Sequence, residues 1–291
     1  MAANGNWSFA MMQAETARQL TGLYTMAAMV EARDPYTVGH AWRVSRYAKI
    51  LAEGSVQDEL TIAQVSIAGF LHDLGKIGIT DSLLLSPDHL IQSEYDVVKE
   101  HSNVGVRLLA GHPMESFLSA AIRHHHERPD GRGYPDGLKG LEIPLAARMI
   151  GIADAFDAMT SVRPYRRALP LDTALDVIEK GLGAEFDAEF GARFVSLARA
   201  GAMAHVFGHS DLGVPVQECP KCGPVVSVFR THQEGDRVYC RLCADEFVVE
   251  RKAGVRLVPT GGKGGAAVAV PEPDAELISR MILDAVGHLP A

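Results

Sequence analysis

Apolar residues recur at helical spacing through the first two thirds of the chain. After a break at Pro170, for example, Leu171, Leu175, Ile178 and Leu182 repeat every three or four positions. Apolar residues are similarly spaced in 21–31, 41–52 and 62–71. Such spacing predicts amphipathic helices packed on a common core, so the expected fold class is mostly α. We predict an N-terminal tail over 1–13 and a helical domain over 14–210.

After about residue 212 the sequence changes in character. Short β-branched or aromatic runs at 225–230, 237–240 and 246–250 predict strands. The same region carries the chain's four cysteines as two Cys-x-x-Cys pairs, namely Cys219, Cys222, Cys240 and Cys243. Four thiolates at this spacing predict a closed tetrahedral site with one structural zinc, in a rubredoxin-like ribbon over 214–258. Iron, disulfides and redox chemistry are the alternatives.

Two further segments follow the predicted ribbon. Residues 259–273 are rich in glycine near their start and predict a flexible linker. Pro273 and Asp274 then precede an apolar stripe at helical spacing, which predicts an amphipathic helix over 274–289. A ribbon of this size builds little core, so zinc is expected to supply much of its folding free energy.

Composition narrows the functional classes. The 291 residues carry a formal net charge of −8, a poor match for general nucleic-acid binding, where neutralising phosphates dominates affinity. We find no apolar run long enough to span a bilayer and no secretory signal at the start, so we expect a soluble, cytoplasmic protein without membrane association. An anionic ligand would need a local positive site, which metal ions provide.

Candidate metal ligands occur at five places in the helical region. They are His40, the pair His72 and Asp73 with Lys76 behind it, His101, the run from His124 to Glu127, and Asp154. Imidazole and carboxylate groups suit divalent ions such as Mn, Fe, Ni or Zn. The two oxygens of Asp73 could bridge a pair of ions about 3.5–4 Å apart, an arrangement that clamps a phosphoryl group.

Simpler explanations exist for single members of this set. A lone buried histidine is usually a core residue, and a run of histidines can bind metal adventitiously at the surface. A His-Asp pair, a His-His pair, a later aspartate and the Gly/Pro-rich turn at 129–137 are harder to assign to packing together. The combination favours metal-assisted hydrolysis.

These motifs resemble the HD-GYP branch of the HD phosphohydrolases, a helical family whose members hydrolyse cyclic di-GMP. The resemblance covers roughly residues 20–200 and implies an HD-type helical bundle. Its blocks occur in order at 34–44, 72–78, 101–105, 125–135 and 153–166. The fourth block contains the Gly-Tyr-Pro signature at 133–135.

The resemblance implies a ligand set for two metal ions. One ion would take His40, His72, Asp73 and Asp154, and the other would take His101, His125 and His126 and share Asp73. His124 is an extra residue in this register and stays outside the set. Tyr36 stands where some members carry a glutamate for a third metal, so we expect two ions.

The resemblance also implies substrate contacts. Lys76 would contact the scissile phosphate and help to protonate the leaving 3′ oxygen, so Asp73 and Lys76 are the expected catalytic residues. Arg163 and Arg166 would contact phosphate, although a solvated salt-bridging turn is the alternative. Tyr134 would lie at the rim of the site, with turn geometry as its alternative role. Ser86 occupies a commonly basic position, which puts one substrate contact in doubt.

The expected function is therefore that of a cyclic di-GMP phosphodiesterase. A metal-bridging hydroxide would attack in line and yield pGpG, GMP or both. A protein partner such as a diguanylate cyclase could dock on the Gly-Tyr-Pro loop or the zinc ribbon. The alternatives are a weakly active or inactive interaction protein that responds to cyclic dinucleotides, and an HD phosphohydrolase for another nucleotide.

Overall fold

The computed structural model describes residues 4–56, 58–86, 88–162, 167–252 and 254–287. Its helices are α1 Asn4–Glu31, α2 His40–Glu53, α3 Glu59–Leu71, α4 Asp81–Leu84, α5 Gln92–Lys99, α6 His101–Leu109, α7 Glu115–His124, α8 Leu145–Thr160, α9 Leu171–Lys180, α10 Ala188–Arg199 and α11 Ala275–Gly287. Its strands are β1 His209–Asp211, β2 Val214–Pro215, β3 Arg237–Tyr239, β4 Asp245–Glu250 and β5 Arg256–Lys263. The prediction of a mostly α protein is confirmed.

Helices α2, α3 and α8 form the centre of the helical core. Helix α2 packs along both α3 and α8, and α1, α7, α10 and α11 surround them. Tyr47, Phe156 and Phe194 are fully buried there, with edge-to-face ring contacts at centroid distances of 5.1–6.2 Å. Because the central helices are held so tightly, the residues at their ends have fixed positions.

The first helix is longer than the sequence analysis predicted. Helix α1 begins at Asn4, so the expectation of a tail over 1–13 is wrong for residues 4–13. Good helix formers such as Met11, Met12 and Gln13 continue the helix toward the N-terminus without an apolar stripe that periodicity could detect.

The C-terminal strands form two small antiparallel sheets. Strand β1 pairs with β2, and β3, β4 and β5 form a sheet in that order. A separate apolar cluster, including Val226, Val238, Phe247 and Val249, packs around the cysteines. We call residues 214–263, which contain β2 to β5 and the four cysteines, the cysteine module.

Two predictions about this region are wrong. Residues 225–230 form no strand, and Val225 makes only an isolated bridge with Glu218. The predicted linker over 259–273 is incorrect at its start, because β5 extends to Lys263 and pairs Pro259 with Phe247. The neighbouring strand supplies hydrogen-bond partners that glycine-rich composition does not reveal.

Helix α11 is part of the helical core. Ile278, Met281, Ile282 and Val286 are buried in the same cluster as Leu20 of α1. The predicted amphipathic helix is present, but it packs firmly against α1 and α3 instead of lying on a tether. Within the described ranges, no helix has the length and apolar character that crossing a bilayer requires.

Candidate metal centre and active site

The candidate ligands converge from helix ends. His40 begins α2, His72 follows the last residue of α3, and His101 begins α6. Directly after His72, Asp73 leads into a 3₁₀ turn, Leu74–Gly78, that contains Lys76. His125 and His126 follow α7, and Asp154 lies within α8.

Four of these side chains form a first cluster. The Nε2 atoms of His40 and His72 are 3.3 Å apart, and Oδ2 of Asp73 lies 3.4 Å from each of them. Oδ1 of Asp154 lies 3.5 Å from Nε2 of His40 and 3.8 Å from Nε2 of His72. The structure therefore brings together all four residues expected around one ion.

His101, His125 and His126 form a second cluster beside the first. Their nearest ligand nitrogens all lie within 4.8 Å of one another, and Nε2 of His101 is 3.3 Å from Nε2 of His125. Oδ1 of Asp73 is 3.6 Å from Nε2 of His101. Asp73 thus directs one carboxylate oxygen to each cluster.

Hydrogen bonds on the opposite ring nitrogen hold the histidines in place. Nδ1 of His72, His101 and His125 donates to the carbonyl oxygens of Gly69, Val98 and Ile122 at 2.7–2.8 Å. Bonds of this kind fix the tautomer and leave each Nε2 free to face an ion. The arrangement is typical of metal-ligating histidines.

Asp157 orients the remaining histidine, and the sequence analysis gave it no role. Its Oδ2 lies 2.7 Å from Nδ1 of His40, and its Oδ1 accepts a hydrogen bond of 2.5 Å from Nε of Arg43. Burial favours the protonated carboxyl, but the charges of Arg43 and His40 outweigh it and hold the pKa of Asp157 well below its usual range. Asp157 follows Asp154 by three residues on one helix, so the shared face was a signal that could have been read.

The electrostatics suit divalent ions. Burial lowers the pKa of His101, His125 and His126, the last to about 3, so all three are neutral ligands at pH 7. Burial also opposes charge on His40, but its bonds to Asp157 and Asp73 raise the pKa of His40 to about 9, so an ion that binds there displaces a proton. Asp73 stays ionised because Lys76 and His72 outweigh burial and lower its pKa. This donor set fits two divalent ions, and the carboxylates of Asp73 and Asp154 would neutralise part of their charge.

Two glycines allow the elements around the second cluster to approach closely. A Cβ on Gly75 would lie 1.8 Å from the carbonyl oxygen of His101, and one on Gly151 would lie 2.7 Å from that of His125. No side chain fits at either distance, since real Cβ contacts exceed about 3 Å. The glycine in the His-Asp-Leu-Gly-Lys motif is thus needed for helix packing beside the site.

The sequence profile of the HD domain family matches residues 24–190, more than half of the chain. This chain belongs to the HD domain family. The expected HD-type bundle is confirmed.

Several curated relatives share this HD domain. The chain is 41% identical over 172 residues to the cyclic di-GMP phosphodiesterase response regulator RpfG of Xanthomonas campestris, covering 58% of this chain and 46% of that protein. It is 38% identical over 171 residues to a cyclic di-GMP phosphodiesterase of Thermotoga maritima, with the same coverage. It is 37% identical over 161 residues to the 3′3′-cGAMP-specific phosphodiesterase 3 of Vibrio cholerae, covering 55% of this chain and 35% of that protein. The chain thus spans half or less of the length of these relatives.

Lys76 and Tyr134 of the HD domain lie beside the clusters. Nζ of Lys76 is 2.5 Å from Oδ2 of Asp73. The ring of Tyr134 stacks on His126 with centroids 4.8 Å apart. Each of these two side chains therefore contacts one member of the clusters.

Glu127 fixes the loop that carries Tyr134. Its buried carboxylate accepts hydrogen bonds from the backbone amides of Asp136, Gly137 and Leu138 at 2.7–3.0 Å. The sequence analysis quoted Glu127 within the histidine run but assigned it no role. An acid just before a Gly/Pro-rich turn was the available signal.

The remaining residues that the sequence analysis singled out in the HD domain lie outside the two clusters or outside the described residues. His124 lies outside both clusters, with Nε2 2.9 Å from Asp136, as expected. Ser86 makes a 3.3 Å hydrogen bond to the backbone of Asp88. Arg163 and Arg166 lie outside the described residues.

Tyr36 contacts the cysteine module. Its hydroxyl lies 3.5 Å from the carbonyl oxygen of Cys222.

The four cysteines form a separate candidate metal site. Sγ of Cys219 is 3.7 Å from Sγ of Cys243, and Sγ of Cys222 is 3.4 Å from Sγ of Cys240. A tetrahedral site with Zn–S bonds of about 2.3 Å requires sulfur separations of about 3.8 Å. All four thiols are free, and their spacing fits an S₄ site.

Proposed function

We propose that this protein is a metal-dependent phosphodiesterase that hydrolyses cyclic di-GMP, or the closely related 3′3′-cGAMP. The observation that carries the proposal is the position of Asp73, which offers one oxygen to each of two histidine clusters. Two adjacent divalent ions at such a site suit an in-line displacement at phosphorus. The names of the curated relatives support the cyclic dinucleotide as substrate class.

The ligand assignment follows the two clusters. One ion would be held by His40, His72, Asp73 and Asp154, and the other by His101, His125 and His126 together with Asp73. When bound, the two ions supply Lewis acidity to the phosphodiester and lower the pKa of water. Their charge outweighs that of Asp73 and Asp154, which gives this acidic chain a local positive site for an anionic substrate.

Lys76 is the proposed proton donor and phosphate contact. Its ammonium group contacts Oδ2 of Asp73, the oxygen that faces His40 and His72, so it lies beside the first cluster. A cation there stabilises charge that develops on the leaving 3′ oxygen. Hydrolysis of one ester bond gives linear pGpG, and a second turnover gives GMP.

Tyr134 is proposed to line the rim of the substrate groove. The groove runs from His126 and Asp154 past Tyr95 and Arg132. A flat aromatic ring at this place supports a purine base by stacking. Arg163 and Arg166 complete the proposed phosphate contacts by the family resemblance alone.

The remaining proposals concern the metal of the cysteine module, the cellular compartment and a protein partner. We assign one structural zinc to Cys219, Cys222, Cys240 and Cys243, on their tetrahedral spacing. We place the protein in the cytoplasm, where free thiols persist. A protein partner such as a diguanylate cyclase would dock on the Gly-Tyr-Pro loop or on the module.

The test uses protein purified anaerobically and loaded with Mn²⁺ or Fe²⁺. Cyclic di-GMP and 3′3′-cGAMP are followed separately by chromatography, with His125→Ala as the ligand variant. His124→Ala is the matched control, because the neighbouring histidine contacts Asp136 instead of the clusters. Product with the wild type and the control, and none with His125→Ala, is the expected result. If the protein binds both dinucleotides but forms no product, the proposal of an enzyme is wrong. The protein would then be an interaction protein that responds to cyclic dinucleotides.

A further inference from the structure

The loop between α1 and α2 connects the cysteine module to the metal centre. This loop, residues 32–39, which we call the docking loop, leads directly into His40. Backbone hydrogen bonds tighten its end, since the amide of His40 donates to the carbonyl of Thr37 at 2.8 Å. Thr37 in turn donates its hydroxyl to the carbonyls of Glu31 and Asp34. The position of His40 therefore depends on the conformation of this loop.

The cysteine module contacts the docking loop at three points. Arg241, between the two cysteines of the second pair, donates from Nη1 to the carbonyl oxygen of Ala32. The amide of Val225 donates to the carbonyl of Pro35 at 3.0 Å. Near the first cysteine pair, the hydroxyl of Tyr36 lies 3.5 Å from the carbonyl of Cys222. Both cysteine pairs thus place groups on the loop.

The far end of the docking loop is held by β1, just before the module. Gly39 has a φ of 79°, and a Cβ there would lie 2.6 Å from Cα of Ser210. Nη1 of Arg43 donates to the carbonyl of His209 at 3.0 Å, while its Nε bonds Asp157, the partner of His40. The loop is therefore clamped at both ends by the C-terminal region.

The docking loop also reaches the turn that carries Lys76. Arg33 donates from Nη1 to the carbonyl oxygen of Lys76 at 3.0 Å and from Nη2 to that of Ile79 at 2.7 Å. A displacement at Ala32 would be passed to its neighbour Arg33. One loop thus connects the module to a metal ligand and to the proposed proton donor.

We infer that the cysteine module is a positioning element for the metal centre, with Arg241 as the positioning residue that holds the docking loop and hence His40. This inference rests on the metal sites of the proposed function, although its test needs no substrate. Groups that orient metal ligands typically change ion affinity by about 10–100-fold when removed. Because Arg241 acts through the loop, we expect an effect near the lower end.

The experiment compares Arg241→Met with two other variants. Arg237→Met is the matched control, since Arg237 lies in the same module but bonds Glu246 within it. Arg241→Lys is the rescue variant, because it restores a cationic donor. Each protein is loaded with Mn²⁺ and dialysed against a weak chelator, and retained manganese and zinc are counted separately by mass spectrometry.

The expected result is about a tenfold weaker Mn²⁺ affinity in Arg241→Met with zinc retained, wild-type affinity in Arg237→Met, and partial recovery in Arg241→Lys. Wild-type Mn²⁺ affinity in Arg241→Met would overturn the inference.

If Arg241→Met loses zinc, amide hydrogen exchange of residues 32–40 is measured in wild type before and after zinc removal. Unchanged protection there would also overturn it. If no dinucleotide is hydrolysed, the proposed substrate fails while the Mn²⁺ result stands by itself.

Discussion

Oδ2 of Asp157 and Nδ1 of His40 lie 2.7 Å apart, in a buried group of three residues that also includes Arg43. The aspartate therefore serves two partners at once. It fixes the ring of His40, a proposed metal ligand, and it neutralises the guanidinium of Arg43, which is only 4% exposed. A change at this position should affect both ion binding and folding.

Replacing Asp157 with Asn should weaken Mn²⁺ binding by about 10–100-fold and destabilise the metal-free protein by about 3 kcal/mol. The first effect follows from a poorly oriented His40, and the second from a buried, unpaired Arg43. Isothermal titration with Mn²⁺ and urea unfolding measure the two effects. Asp176→Asn, which alters an exposed pair with Arg199, should change neither by more than the experimental error. Equal stability of Asp157→Asn and wild type would contradict the buried pair.

Gly75→Ala should abolish binding of the Mn²⁺ ion proposed for the second cluster, which contains His101. A methyl group at this position collides with the backbone of His101 and Gly105, so the 3₁₀ turn and α6 must separate. Metal counting after gel filtration measures the loss, and far-ultraviolet circular dichroism checks that the helices remain. Gly22→Ala is the control, since its Cβ meets no atom within 4 Å. That variant should be unchanged or up to about 1 kcal/mol more stable, because alanine favours a helix interior. Two bound ions in Gly75→Ala would show that the close approach is not required.

Glu127→Gln should raise KM more than it lowers kcat. The substitution keeps the size of the side chain but removes the charge that holds three backbone amides of the Gly-Tyr-Pro loop. Tyr134 then loses its fixed place over His126, while the metal ligands keep theirs. Steady-state kinetics with cyclic di-GMP, over substrate concentrations that span KM, separate the two constants. A fall in kcat at constant KM would indicate that Glu127 acts on the metal clusters instead.

Met281→Ala should destabilise the protein by about 2–4 kcal/mol. Met281 is buried among α1 and α3, so truncation leaves a cavity in the main core. Leu283→Ala on the same helix is the control, because Leu283 is 70% exposed and should cost less than about 0.5 kcal/mol. Thermal and urea unfolding of both variants provide the comparison. Similar stability in the two would mean that α11 is loosely attached.

The residues that cluster in the structure could be selected from the sequence as candidate metal ligands, because few arrangements other than a metal site need His72 beside Asp73 and His125 beside His126. The residues that orient them were harder to find. Asp157 and Glu127 are ordinary acids whose role depends on partners 117 residues away or on a loop's backbone amides. Helices were predictable wherever one face was apolar, as in α9, and the start of α1 was missed because it has no such periodicity.

Contacts between segments that are distant in the sequence were the part of the fold that the sequence did not predict. The cysteine spacing predicts a local site, but nothing in it indicates that Arg241 reaches Ala32. The apolar stripe of α11 predicts an amphipathic helix without identifying α1 and α3 as its partners. The glycines of strand β5 suggest flexibility, but Pro259 and Lys263 on either side of them pair with β4.

The insertion of the cysteine module between α10 and α11 has a consequence for synthesis on the ribosome. The contacts within the module join residues close in sequence, whereas the core shared by α1 and α11 joins residues such as Leu20 and Met281. During translation the module emerges complete before α11 does, so it can take up its metal while the helical core is still open. With the proposed zinc in the module, the zinc supply in the cell would then influence the yield of folded protein at an early stage of synthesis.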